Sequence, residues 1–198
     1  INIIWAANAR VDNIDLETLQ IARDAGCREV IFGFESGSQR ILDILNKKTT
    51  VEQNKRAIEL CNKAGIIPAG SVMIGNPTET IEDIRATQQF LREVDTKRIG
   101  VSITTPFPGT ELWNWCKEKK LIPFSFKWSD LTFDKVVIPV CETVSPREIE
   151  KLFTETMDIV SEKSSFGLSD FLVNNFRDPR KAAVRIFHIF KNPSRTLK

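Results

Sequence analysis

Apolar runs and stretches of helical period alternate from Ile3 to Thr104. The first run, "IIWAA" from Ile3 to Ala7, predicts a short strand that gives way to Asn8-Ala9-Arg10. Asp15 then caps a helix with apolar residues at Leu16, Leu19, Ala22 and Ala25, and Gly26 stops it. A second strand is predicted over Val30–Phe34. It ends in Glu-Ser-Gly-Ser and passes into a helix. Thr50–Gln53 has the form of a capping box, in which the threonine hydroxyl and the glutamine side chain satisfy each other's free backbone N–H groups. The helix it opens carries Ile58, Leu60 and Cys61 and stops at Gly65. The strand "AGSVMIG" follows. "TIED" at Thr80–Asp83 opens a helix bearing Ile84, Phe90, Leu91 and Val94, and Ile99–Thr104 is a fourth strand. Crossovers of this length between apolar strands predict a parallel sheet with right-handed connections. The continuous apolar runs predict strands buried on both faces. The pattern leaves open an α/β doubly wound sheet or a (β/α) barrel-like array; in both, ligands gather at the carboxyl ends of the strands.

The pattern changes after Gly109. "TELWNWCKEKKLI" predicts a short amphipathic helix, and Val136–Val140 one more strand. Ser145-Pro146-Arg147-Glu148 predicts a capped helix running to Glu162, with Ile149, Leu152, Phe153, Met157 and Val160 on one stripe. Small helices are expected from Phe166 onward. The division expected is residues 1–125 as a (β/α) unit and residues 126–198 as an extension with one strand and then helices.

Composition narrows the class without changing that picture. At 198 residues, 41% hydrophobic and 27% charged, the chain matches an ordinary globular protein with one sizeable core. No apolar run reaches the ~20 residues needed to cross a bilayer, and a cytoplasmic location is expected. The start, Ile1-Asn2-Ile3-Ile4-Trp5, resembles the middle of a strand rather than a leader, so the chain is expected to be part of something longer. A net charge of +2 gives no reason to expect a nucleic-acid partner. Residues 177–198 hold seven Lys/Arg against one Asp, a basic amphipathic pattern that suits contact with membrane or nucleic acid but is more often a solvated helix face. Cys27, Cys61, Cys116 and Cys141 are widely spaced and are expected to be free thiols. No metal-ligand spacing is present, and the single histidine, His188, lies in the basic tail, which argues against a Ser-His-Asp triad.

The candidate chemistry lies at the strand ends. These are Asn8 and Arg10; Glu35, Ser36 and Ser38; Gly75-Asn76-Pro77-Thr78-Glu79; and Thr104-Thr105-Pro106-Phe107-Pro108-Gly109-Thr110. In a parallel sheet they share one rim. Arg10 alone reads as a surface charge, Asn76-Pro77 and Pro108-Gly109 as turns, and Glu79 as a carboxylate favoured at the next helix N-terminus. Glu35 is different. It follows an apolar strand directly, where an unpaired carboxylate would be penalised, so it needs a donor: Arg10, the turn's N–H groups, or a ligand.

Taken in order, "GFESGSQRILDILNK", "AGSVMIGNPTET" and "TPFPGTELW" resemble the radical S-adenosylmethionine enzymes. The likeness is to the class that often carries a cobalamin-binding domain and includes the anaerobic magnesium-protoporphyrin monomethyl ester cyclases. It runs from about Ile3 to Ile122. The resemblance implies a partial (β/α) barrel that binds S-adenosylmethionine (SAM). It assigns Glu35 and Ser36 to the ribose or methionine part, Met73–Glu79 (with Ile74, Gly75 and Asn76) and the Thr105-Pro106 tip to the adenine side, matches Arg10 to an arginine on the rim, and matches Lys47 to a basic residue frequent after the Glu-Ser turn. It also implies a [4Fe–4S] cluster on a CxxxCxxC motif, which this chain lacks. The cluster loop, the first strands and any cobalamin domain are therefore expected upstream of Ile1. In the whole enzyme an electron donor and SAM would generate a 5′-deoxyadenosyl radical that abstracts hydrogen from a small-molecule substrate, a tetrapyrrole being one option. The fragment alone is expected to be inactive, and to self-associate through an open sheet edge. The rival reading is a non-catalytic binding or scaffold module that kept the (β/α) fold.

Overall fold

The computed structural model describes residues 3–163. The basic tail, His188 and the small helices expected from Phe166 lie outside the described residues. Within them the order is β1 (Trp5–Ala9), α1 (Leu16–Asp24), β2 (Cys27–Glu35), α2 (Gln39–Ile44), α3 (Val51–Lys63), β3 (Ile67–Ile74), α4 (Ile81–Glu93), β4 (Arg98–Ile103), α5 (Glu111–Glu118), a 3₁₀ turn (Trp128–Asp130) and α6 (Pro146–Lys163). The caps read from the sequence form as expected. Asp15 accepts the Thr18 N–H, and Thr50/Gln53 and Thr80/Asp83 form reciprocal capping boxes.

The four strands are parallel and adjacent in the order β1-β2-β3-β4. Sequential order means that every crossover steps the same way and all the helices fall on one face. Val30, Phe32 and Phe34 of β2 and Val72 of β3 form one core with Leu19 of α1, Ala57, Ile58 and Cys61 of α3, and Phe90 and Leu91 of α4. A doubly wound sheet would reverse its order and cover both faces, so the arrangement is that of a (β/α) barrel segment.

The opposite face corrects one expectation. The strands are not buried on both sides among the described residues. Along β2, Ile31 is exposed between buried Val30 and Phe32, and Ile67 and Ser71 are exposed on β3. Alternation puts Asn8, Ile31, Gly33, Ser71, Gly100 and Ser102 on this open face. The runs looked two-sided because Ile31, Ile67 and Met73 are apolar although they face away from the helices.

All four strands shift by one to three residues from the expected bounds, β3 opening at Ile67 rather than Ala69 and β4 at Arg98 rather than Ile99. β1 runs from Trp5 to Ala9 rather than from Ile3 to Ala7, because its ladder with β2 extends from Trp5↔Cys27 to Ala9↔Phe32. β2 begins at Cys27, three residues before its most apolar stretch. The strand expected over Val136–Val140 does not form. Ile138 and Val140 are buried beside Cys116 of α5 without a ladder, and the Val136 N–H donates to the Glu150 side chain. α6 packs on β4 and α4, where Ile149 and Leu152 join Ile74, Ile84 and Ile103 in a second core.

Candidate functional site

All four strands end on the same edge, and β2 ends in a strained turn. Glu35 has φ 60°, a region that non-glycine residues rarely occupy. The Ser36 N–H donates to the Phe34 carbonyl at 2.7 Å, closing a three-residue turn about Glu35. Asn54 of α3, fully buried, donates its Nδ2 to the same carbonyl at 3.1 Å. The strand register slips by one residue here, from Gly33↔Ser71 to Glu35↔Val72.

The turn and the residue below it aim the carboxylate. Lys47 Nζ donates to Glu35 Oε1 at 2.7 Å, and the two side chains are 25% and 19% exposed. The pair lies directly over Gly33: a Cβ there would come within 2.9 Å of Lys47 Nζ and closer still to Glu35 Oε1. Glycine at this point of a strand marks a close approach. Arg10, just past β1, reaches the same place. Its Nη2 donates to the Lys47 carbonyl at 3.2 Å, while Asp12 accepts from its Nε and Nη2 at 3.0 and 2.8 Å. That pairing, hydrogen bond first, holds the Asp12 carboxyl below its ordinary range. Three expected site residues, Arg10, Glu35 and Lys47, are thus brought together.

Ser36 is placed elsewhere. It is fully buried, and its hydroxyl lies 3.0 Å from Thr87 Oγ1 on α4 while accepting the Ser38 N–H. The Gly37 N–H donates to Thr87 Oγ1 at 3.0 Å, and Ser38 Oγ donates to Asp83 at 2.6 Å. The Ser-Gly-Ser segment therefore fastens the Glu35 turn to α4, and the Ser36 hydroxyl does not face the rim. Asp83 also takes the Arg40 guanidinium. Burial pushes the Asp83 carboxyl up, but the bonds from Arg40, Ser38 and Thr80 outweigh it and hold it well below the usual carboxylate range.

The remaining expected residues form a second group at the β3 and β4 ends. Ile74 is buried in the second core, and its carbonyl accepts the Thr104 N–H at 2.8 Å. Gly75 turns with φ 80°, close to Ile149 of α6. Asn76 is fully buried, and Thr104 Oγ1 donates to its Oδ1 at 2.9 Å. Thr105 Oγ1 lies 3.0 Å from the Ile103 carbonyl and 2.9 Å from that of Thr132, and Pro106 is buried beside it. Glu79 does not serve the α4 N-terminus. It is fully buried, and its Oε2 accepts from the Asn76 N–H and Nδ2 at 2.8 and 3.2 Å. Thr80 and Asp83 already satisfy the helix end.

Sequence reasoning passed over Gly33, Asn54, Asp12 and Thr87. Gly33 and Asn54 carried a usable signal: a glycine inside an apolar strand, and an amide on the buried stripe of α3. Asp12 and Thr87 carried none, because their partners are set by the tertiary fold.

The comparisons agree with this geometry. Residues 1–91 match the Radical SAM superfamily model. An uncharacterized methyltransferase of Pyrococcus horikoshii is 34% identical over 132 residues, covering 67% of this chain and 28% of the relative. The anaerobic magnesium-protoporphyrin IX monomethyl ester cyclase of Rubrivivax gelatinosus is 34% identical over 121 residues, 60% of this chain and 22% of the relative. Among solved structures, the radical S-adenosylmethionine methyltransferase TsrM from Kitasatospora setae, bound to tryptophan substrate and a SAM analogue, superposes with a TM-score of 0.50. It is 25% identical, over 56% of this chain and 22% of that one. The chain spans about a quarter of the length of these curated relatives. With a one-sided parallel sheet, a rim built at its carboxyl edge and these matches, residues 1–91 of the chain carry a radical SAM superfamily domain.

Proposed function

We propose that this chain supplies part of the SAM-binding wall of a radical enzyme. The observation that carries the proposal is the Glu35–Lys47 pair, held by a strained turn over Gly33 on the uncovered face. Strain of this kind costs about 1–3 kcal/mol and persists where the surroundings enforce it, commonly at binding sites. The pair complements a zwitterion. Glu35 is an acceptor for an ammonium or for ribose hydroxyls; Lys47, with Arg10 beside it, is a donor for a carboxylate. Being partly exposed, the two groups can exchange each other for ligand atoms with little desolvation. The β3 and β4 tips form the adenine side, where Thr105 is part-exposed and buried Gly75 and Asn76 set the backbone beneath it.

The residues described here do not fit a [4Fe–4S] cluster. Among the described residues no group of three His, Cys, Asp or Glu side chains could hold a metal. The four cysteines are buried and free, and burial pushes the Cys61 thiol up to about 11. The cluster ligands, and any cobalamin, would then lie elsewhere in a longer parent, and this chain's thiols take no part in the chemistry. SAM supplies, in enzymes of this kind, a carbon radical for hydrogen abstraction. This chain binds and orients it, keeps water from one side, and presents an open sheet face of small residues to a small-molecule substrate. Methyl transfer and cyclisation, the activities named for the relatives above, both fit.

Anaerobic incubation with SAM and dithionite tests the division of labour. The isolated chain is expected to release no 5′-deoxyadenosine by chromatography, whereas the reconstituted parent releases it. Product from the isolated chain would contradict the placement of the cluster outside these residues.

A further inference from the structure

At the β3 tip, Glu79 is the one acidic side chain that is fully buried among the described residues. Its Oε2 takes both donors of Asn76, and Oε1 has no hydrogen-bond partner. Asn76 in turn receives the hydroxyl of Thr104, the residue after β4. One carboxyl group therefore anchors a chain of hydrogen bonds from the β3 end to the β4 end. The backbone around it turns through positive φ at Gly75 (φ 80°), which glycine adopts freely, and is strained at Thr78 (φ 60°); a β-branched residue in that region is a genuine outlier. Cys141 and Thr143 hold the Glu79 backbone in place by donating to its main-chain carbonyl.

We propose that Glu79 is a proton-dependent positioning residue that sets the geometry of the β3 and β4 tips through Asn76. As a carboxylate it attracts the two Asn76 donors strongly; once protonated it accepts them weakly, and the β3 end is free to move against β4. The inference rests on those tips being the adenine side of the site proposed above. Its surroundings are mixed. Asp83, on the first turn of α4, is a like charge that disfavours the ionised form. Arg40 of α2 is a cation within electrostatic reach of Glu79, but its guanidinium bonds to Asp83 and the Thr78 carbonyl rather than to Glu79. Thr104, just past β4, and Thr143 are neutral, Cys141 is a thiol, and α6 contributes apolar Ile149 beside Gly75. Burial, the largest influence, lifts the Glu79 carboxyl to about 7, against the downward pull of the bonds from Asn76. The group therefore changes charge across neutral pH.

The sign for stability follows. The folded state holds this proton up to about pH 7, whereas an unfolded chain releases it near its ordinary value of 4.5. Stability therefore falls as pH rises from about 4.5 to 7 and is flat for this group above that.

Two measurements on the full chain test the proposal. In ¹⁵N-resolved NMR without ligand, the Asn76 backbone amide is expected to titrate with a midpoint near 7; an amide shift that is constant from pH 5.5 to 8.5 overturns the latch. Chemical denaturation compares the wild type with Glu79→Gln, a neutral isostere that retains one acceptor. The wild type is expected to lose stability between pH 5.5 and 7.5 by an amount the variant lacks. Parallel pH profiles overturn the proposal. Should Glu79→Gln fail to fold, the wild-type amide titration still decides. SAM affinity, measured in the parent across the same pH range, separates the two readings. A titrating Asn76 with no SAM binding at any pH leaves the latch standing and removes the adenine assignment.

Discussion

Replacing Gly37 by alanine is expected to destabilise the fold by about 3 kcal/mol, at the upper end of what overpacking costs. The new Cβ would lie 2.6 Å from Phe90 Cβ, 2.7 Å from Thr87 Cα and 2.8 Å from the Ala86 carbonyl oxygen. Two of those atoms belong to the α4 backbone and cannot rotate away. The segment or the helix must move, and movement breaks the Gly37–Thr87, Ser36–Thr87 and Ser38–Asp83 bonds together. Two of these bonds are buried and the Gly37–Thr87 bond is partly buried, so each donor or acceptor left unpaired adds to the cost. For a chain of this size the melting temperature should drop by roughly 10 °C. Thermal unfolding followed by circular dichroism checks it; a shift under ~2 °C would mean that the Ser-Gly-Ser segment does not lock onto α4.

Gly33→Ala is expected to do the opposite: leave the fold nearly intact and weaken SAM binding about tenfold, or ~1.4 kcal/mol. Its Cβ meets only the far ends of the Glu35 and Lys47 side chains, and Gly33 has no left-handed φ that would exclude alanine. The carboxylate and the ammonium can swing aside, but not back over residue 33. Stability changes little because the pair is partly solvated. A melting temperature within ~2 °C of wild type, together with weakened binding, separates a positional effect from a folding defect. Unchanged affinity in the folded variant would show that the carboxylate's place over Gly33 is irrelevant to the ligand.

The contrast between these two glycines shows what the sequence could reveal. Strand and helix order was legible because apolar runs, caps and stop glycines agreed at each level, from Asp15 and Gly26 to Thr80 and Asp83. The rim was legible as a set of polar tips because parallel strands put their carboxyl ends together. Which tip residues point at a ligand was not legible. Ser36 sits beside Glu35 in sequence, yet a positive φ at Glu35 sends the two side chains apart, one to the open face and one into α4. No local pattern encodes that turn. Glu79 read as a helix-end carboxylate because it precedes α4, but the turn at Thr78 folds it back onto Asn76. Val136–Val140 read as a strand because apolar residues pack there, although no neighbouring strand offers a ladder. Side-chain direction at turns, and pairing at the sheet's margin, are tertiary outcomes.

The most direct test of the account is calorimetric titration of SAM into the anaerobically reconstituted parent protein, carrying either wild-type Glu35 or Glu35→Ala. A carboxylate that accepts hydrogen bonds from a charged or hydroxyl-bearing ligand contributes about 1.5–3 kcal/mol. The account predicts affinity at least tenfold weaker in the variant, with circular dichroism and melting close to wild type. Equal affinities in two equally folded proteins would contradict it.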